Sequence, residues 1–281
     1  LDNSFEYTTE LNSKITSNSN VSVAVPRIES FALASNGNQS KGVMISGISP
    51  ELEGKLSNPY HKLVRYRFNS TAIKSMEADG KISAEILKKI KEFQDYSFSS
   101  EARIELDLGL SDDDASKYLS EITKHSQVEA NYLTETDNGV LISDRLSKFL
   151  KIGVGDSIVL IGQGYQGASA AGVFPVRGIV KIPSPELDNK LVYMTLANAD
   201  AFFGLEGKIT SVAINLKNTD DMVKTQKKLN ASFSSDNFII KNWEELMPTM
   251  KQQIEGDNKS GQVFLAVIYF ITERNDRLSG N

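Results

Sequence analysis

Gly162-Gln-Gly164-Tyr-Gln-Gly167 has the spacing G-x-G-x-x-G and follows a β-rich run from Asp156 to Ile161. In a dinucleotide fold such glycines let a pyrophosphate approach the N-terminus of the next helix. That chemistry needs a helix of several turns after the last glycine. Here Gly172 and Pro175 arrive within eight residues of Gly167, and Val176 to Ile182 is again β-rich. The pattern therefore predicts a glycine-rich hairpin loop from Gly162 to Gly172. Such a loop offers Gly164, Tyr165, Gln166, Gly167 and Val173 as contacts for a partner. Nucleotide binding through Gly162 to Gly167 stands as the enzymatic alternative.

Asp112-Asp-Asp114 supplies three hard oxygen ligands in a row, as a divalent cation requires. The run follows Ser111 and opens a helical pattern, where a cap and first-turn acids are favourable without any ion. His61 sits in a loop-like Asn-Pro-Tyr-His segment, and His125 ends a helix, where its charge is favoured; both are expected to be structural or solvated. A Ser-His-Asp triad assembled by long-range contact stays open, but there is no G-x-S-x-G elbow to support it. With no cysteine, disulfide scaffolds, thiolate zinc sites and thiol catalysis are excluded. No catalytic, cofactor-binding or metal-binding residue is expected.

Trp243 is the single tryptophan and opens Trp243-Glu-Glu-Leu246, ahead of an apolar run from Val263 to Ile271. It reads either as a core anchor or, with the residues through Gln253, as a helix that couples a folded domain to a bilayer. As a helix the nine-residue run would reach only about 13.5 Å, against the ~30 Å of a bilayer core. It is either a buried C-terminal strand or helix turn, or the first half of a transmembrane helix whose remainder has been removed. Leu1 is not a methionine and no signal-peptide pattern follows it, so the chain reads as a cut-out piece or a processed product.

The elements that must position these residues come from an ordinary globular composition. The chain has 281 residues, 40% hydrophobic and 24% charged. A net charge of -5 gives no basic footprint, so nucleic acid is not expected as a partner. Periodicity predicts a helix over 6–15, a hairpin from Val21 to Ala34 and Gly42 to Ile48, and helices over 81–97 and 111–126. Between those helices, Ala102 to Leu108 alternates like a half-buried strand. Short strands follow at 140–142, 156–161, 174–182 and 191–194, with brief helices at 144–150 and 198–203. The C-terminal part predicts strand, helix and strand at 209–216, 219–229 and 238–240. The terminal segments together give the element list of a split βαβ sandwich interrupted by a long insertion, hence an α+β fold.

In this order the segments resemble the extracytoplasmic domain of ABC-transporter permeases of the MacB, LolC/LolE and FtsX-like superfamily. The resemblance rests on Val25-Pro-Arg-Ile28, on Gly42-Val-Met-Ile-Ser-Gly-Ile-Ser-Pro50, on Gly139-Val-Leu-Ile-Ser with Leu146, and on Leu150-Lys-Ile-Gly-Val-Gly-Asp156. Pro175-Val-Arg-Gly-Ile179, Leu191-Val-Tyr193 and Trp243-Glu-Glu-Leu246 complete it. The chain departs at Ser49, where the family usually has an acidic residue, and in a longer, more helical stretch from Asn58 to Asp137.

The resemblance implies a porter-like subdomain from residues 1–57 and 207–260, an inserted distal subdomain at 58–206 with a helical insertion near 70–137, and a truncated transmembrane start and tail at 261–281. It implies a periplasmic location and a non-catalytic part that passes ATP-driven motion to a lipoprotein, lipid or small molecule. ATP would be hydrolysed on a separate subunit or domain, so no cofactor is expected here. Partners would be the cognate ABC ATPase, the permease's own transmembrane segments, a second permease copy or homologue, and a periplasmic carrier or adaptor. Trp243, Leu246, Gln262 and Val263 are the expected membrane-coupling residues. A membrane-anchored sensor or solute-binding domain is the remaining alternative.

Overall fold

A computed structural model describes residues 1, 3–234, 238–248 and 251–252 of the chain. The N-terminal stretch forms a short strand Phe5–Glu6 (β1), a helix Thr9–Thr16 (α1) and an antiparallel hairpin of Val21–Ser35 (β2) and Ser40–Ile48 (β3). Asn36 Oδ1 closes the hairpin turn by accepting from the backbone N–H groups of Asn38 and Gln39. Pro50–Glu53 (α2) and Tyr66–Arg67 (β4) lead into Ser70–Asp79 (α3), Ala84–Glu92 (α4), Ser97–Phe98 (β5), Glu101–Leu108 (α5) and Asp112–Ser126 (α6). The remainder alternates: Val140–Ser143 (β6), Asp144–Leu150 (α7), Ser157–Gln163 (β7), Ser169–Val180 (β8), Leu191–Thr195 (β9) and Leu196–Phe203 (α8). Lys208–Ile209 (β10), Ser211–Leu216 (β11), Met222–Ser232 (α9) and Trp243–Leu246 (α10) complete the described elements.

One mixed seven-stranded sheet has the order β11-β2-β3-β9-β6-β8-β7, and the end of β2 also pairs with β7. That last pairing, from Ala32↔Gly162 to Ser35↔Val159, closes β2, β3, β9, β6, β8 and β7 into a barrel. Side chains alternate across a strand, so Ala32 and Ala34 of β2, Val43 and Ile45 of β3, Ile158 and Leu160 of β7 and Ala170 of β8 are buried in one core. Alanines keep the interior narrow enough for side chains alone to fill it. The helices α3 to α6 build a second core from Phe68, Met76, Ile90, Phe98, Ile104 and Ile122. The mixed sheet and helices agree with the α+β class expected from the sequence.

The chain divides into two compact units, Leu1–Ser13 with Val23–Asn215, and Lys14–Ser22 with Leu216–Asn281. The barrel and the helical core belong to the first. In the second, Asn20 Nδ2 donates to the Asn218 carbonyl at 2.9 Å and to Thr225 Oγ1 at 2.8 Å. Leu229 and Phe233 on the α9 side are buried there, and Lys14 Nζ lies 4.5 Å above the Phe233 ring.

Several expectations are corrected. Ala102 to Leu108 is helical, not extended: Ser100 caps it by accepting from Arg103 N–H, and Gly109 ends it with φ +58°. Ile104 and Leu108, four apart, face the core while Leu106 is exposed, so a period of 3.6 competed with an accidental alternation. The helix expected over 81–97 stops at Glu92, and Ser97–Phe98 turns back to pair with Tyr66–Arg67. The helix expected over 6–15 starts at Thr9, because Phe5–Glu6 pairs with Lys208–Ile209. Phe238 to Ile240 lies in no strand.

Candidate functional site

The predicted hairpin loop is present, and tighter than expected. β7 and β8 stay paired from Ser157↔Pro175 to Gln163↔Ser169, which leaves only 164–168 as the turn. Gly164 N–H donates to the Ala168 carbonyl at 2.7 Å, and Ala168 N–H returns to the Tyr165 carbonyl at 3.1 Å. Gln166 and Gly167 take φ values of +53° and +80°. No α-helix follows these glycines, because β8 begins at Ser169. The helix N-terminus that a dinucleotide pyrophosphate needs is thus missing from this place.

The expected contact residues separate. Gln166, Gly167 and Val173 are exposed, whereas Gly164 is buried beneath the end of α8. A Cβ on Gly164 would lie 2.7 Å from the Phe203 carbonyl oxygen, so the close approach admits no side chain. Gly164→Ala is therefore expected to cost about 1–3 kcal/mol through overpacking; thermal unfolding checks it, and an unchanged Tm contradicts it. Tyr165 packs against the barrel core, and its hydroxyl accepts from Lys208 Nζ at 3.1 Å. That hydrogen bond lowers the Tyr165 hydroxyl pKa and raises that of Lys208. The loop is fastened at Tyr165 and open at Gln166.

The first unit also holds two ion pairs whose carboxylates are buried. Arg27, from the Val25-Pro-Arg-Ile28 segment, donates to Glu53 through Nε at 3.1 Å and Nη2 at 2.5 Å, and Glu53 is fully buried. Burial opposes the Arg27 charge, but the hydrogen bond and charge of Glu53 outweigh it and hold the guanidinium above its usual value. Burial also pushes the nearby Tyr193 hydroxyl up to about 12. Ser49 caps α2 by accepting from Leu52 N–H and donates to Glu135 Oε1 at 2.7 Å. A serine thus caps the helix at the place where the resemblance departs. Gly47 of the same segment would meet Ala199 Cβ at 2.3 Å if it carried a Cβ.

The second pair centres on Asp144, which the sequence reading did not single out. Its carboxylate takes Arg67 Nη2 at 2.6 Å and Ser97 Oγ at 2.8 Å on one oxygen, and Lys148 Nζ at 2.7 Å on the other. Burial would raise its pKa, but the Lys148 hydrogen bond and the Lys148 and Arg67 charges win and lower it. Asp188, which accepts from the backbone of Ile182 and Asp144, is raised by burial. The only sequence signal for the Asp144 network is Lys148 at i+4 on α7.

The acidic run behaves as a helix start: Ser111 Oγ accepts from Asp114 N–H at 3.2 Å. His125 is held by Ser75 Oγ at Nδ1, 2.9 Å away, and faces Asp79 and Glu121 with Nε2. These three side chains are close enough to share a metal ion. The two carboxylates already hold the Lys81 ammonium at 3.1 and 3.3 Å. Its place among the Glu121, Lys81 and His125 side chains keeps the Asp79 carboxyl well below its usual range. Sequence alone could show two of these three, as Glu121 and His125 are four apart on α6. His61 is exposed and stacks edge-on with Tyr60 at 5.6 Å. A cleft of about 260 Å³ lined by Ser70, Ile73, Lys74, Glu77, Lys91 and Gln94 is smaller than typical ligand pockets.

In the second unit, Asn242 and Glu245 form a reciprocal capping box that starts α10. Trp243 is 42% exposed and Leu246 63% exposed, so the core-anchor reading of Trp243 is corrected. Ile239, shortly before, is 83% exposed. Gln262, Val263 and the apolar run lie outside the described residues. Among the described residues, no helix is long and apolar enough to cross a membrane.

No protein-family model matches the sequence, and no curated protein matches it. Among solved structures, the chain is similar to the extracellular domain of the noncanonic ABC-type transporter YknZ from Gram-positive bacteria. The identity is 13% and the TM-score 0.39, over 83% of this chain and 87% of that one. It is similar also to the periplasmic region of MacB from Actinobacillus actinomycetemcomitans, at 14% identity and a TM-score of 0.42, over 89% of this chain and 84% of that one. Both likenesses are loose in geometry as well as in sequence.

Proposed function

We propose that the chain is the extracytoplasmic, non-catalytic domain of an ABC-transporter permease, and that it passes ATP-driven motion to a lipoprotein, a lipid or an exported small molecule. The observation that carries this reading is where apolar exposure falls in the second unit. Ile239, Trp243 and Leu246 stand open to solvent on the stretch that leads toward the apolar run at Val263. A tryptophan with apolar neighbours, ahead of such a run in sequence, suits the interface of a bilayer or the flank of a membrane helix. The ordered family-like segments support the same reading, since Arg27 from them pairs with the buried Glu53 and Gly47 is closely packed.

In this proposal the stretch from Ile239 to Leu246 is the part that meets the membrane or its helices. ATP is hydrolysed by a cognate ATPase, beside the permease's own transmembrane segments and a second permease copy or homologue. Gln166, Gly167 and Val173 are offered to a periplasmic carrier or adaptor. The charged groups described above are engaged with one another, which supports a structural role for them.

The reading is tested in the parent protein with Trp243→Ser and Leu246→Ser together. Burying two such side chains contributes about 1.5–3 kcal/mol each, so transport should fall at least ~10-fold while ATP hydrolysis and folding persist. Unchanged transport would overturn the coupling role. The parent gene should also encode membrane spans on both sides of this segment and neighbour an ATPase; a signalling module in that place would favour the sensor instead.

A further inference from the structure

Two helices of the first unit, α3 and α6, face one another through matched side chains. Ser75 and Asp79 stand one turn apart on α3, and Glu121 and His125 one turn apart on α6. Met76 of α3 and Ile122 of α6 are fully buried in the same core, which fixes the two faces against each other. Ser75 Oγ meets His125 Nδ1 at 2.9 Å, and His125 Nε2 lies 3.3 Å from Asp79 Oδ2 and 3.6 Å from Glu121 Oε2. The last two separations are longer than a good N–H···O hydrogen bond, which ends at about 3.2 Å, and one N–H cannot serve both carboxylates well. They come close to a different geometry. In a tetrahedron with metal–ligand bonds of ~2.0–2.1 Å, neighbouring ligand atoms stand about 3.3–3.4 Å apart. One ligand atom from each of the three residues lies within 4.8 Å of the other two.

We infer that Asp79, Glu121 and His125 form a zinc site that clasps the end of α3 to α6. The donor set selects the ion. Two carboxylates alone would suit magnesium or calcium, whereas an imidazole nitrogen in the same set favours zinc. A histidine that ligates zinc ordinarily donates its other ring N–H to an oxygen, and Ser75 Oγ stands in that place at Nδ1. The lone pair of Nε2 is then left for the ion. Lys81 Nζ, 3.1 Å from Asp79 and 3.3 Å from Glu121, holds the position that a cation takes between these carboxylates. Its side chain is 55% exposed and such a surface pair is weak, so the ammonium can swing out to water as the ion enters. His125 is 13% exposed, so the site is covered by protein yet reachable. Water completes the fourth position. Gly80 ends α3 in the left-handed conformation, with φ +63°, immediately after Asp79. The ion thus pins the point at which the chain leaves the helix.

The site is independent of the transport reading, and the full chain in isolation tests it. Competing zinc ligands are few, since the chain has no cysteine and its only other histidine is His61. Calorimetric titration of the untagged chain with zinc chloride should show saturable binding of one ion per chain, and Tm should rise as zinc is added. His125→Gln should weaken binding at least ~10-fold. Glu121→Gln, at a more exposed position, should do the same and serves if the first variant folds poorly. Lys81→Met should tighten binding, because the competing ammonium is gone. Excess magnesium should leave zinc in place. No saturable binding in the parent chain overturns the inference. Binding that survives both His125→Gln and Glu121→Gln, or that weakens in Lys81→Met, overturns it too, since the ion then sits elsewhere.

Discussion

Arg27→Met is expected to destabilise the protein by about 3–5 kcal/mol, the usual cost of breaking a buried ion pair from one side. Methionine keeps much of the side chain's reach and removes its charge. Glu53 is left fully buried, with Ser57 Oγ as its remaining close side-chain donor at 2.5 Å. For a unit of this size, such a loss lowers Tm by roughly 10 °C or more. Arg27→Met combined with Glu53→Leu should recover most of it, because an apolar pair of similar volume replaces the ion pair without a stranded charge. Denaturant unfolding of the two variants decides the matter. A single variant within 1 kcal/mol of the parent, on the order of an exposed pair's effect, would show that Glu53 finds water or another partner.

Asp144→Ala is expected to cost a similar amount, about 3–5 kcal/mol, and to carry a pH signature. The substitution removes the shared acceptor of Arg67, Ser97 and Lys148 and leaves those cations crowded, with Lys181 only 3.8 Å from the lost carboxylate. The folded-state pKa of Asp144 is below its usual value. Its charge therefore contributes stability that is fully present above the unfolded value, near 3.9, and lost as pH falls through the lower folded value. The gap between parent and variant should be widest near neutrality and narrow progressively below about pH 4. Unfolding curves at neutral and acid pH measure it; a gap that stays constant would mean the carboxylate acts by shape alone.

These networks mark where sequence reasoning reached its limit. The β2–β3 hairpin was legible because alternation and an Asn-Gly turn are local, and so was the Ser111 cap. The Gly162–Gly172 hairpin was legible from the glycines and Pro175, although its turn proved shorter. Closure of the barrel was not, because pairing of Leu33 with Ile161 joins strands far apart in sequence with no local signal. Arg27 and Glu53 are likewise separated, and each alone reads as an ordinary surface charge. The α5 segment misled because Ile104, Leu106 and Leu108 satisfy a period of two, while only Ser100 and Gly109 betray the helix.

The central claim is that this domain works outside the cytoplasm, attached to a membrane transporter. Gln166 is exposed on the hairpin turn, and the chain has no cysteine, so Gln166→Cys in a parent protein otherwise free of cysteine is a unique address. A membrane-impermeant maleimide should label it in cells whose cytoplasmic membrane is intact. Labelling only after that membrane is permeabilised would contradict the account.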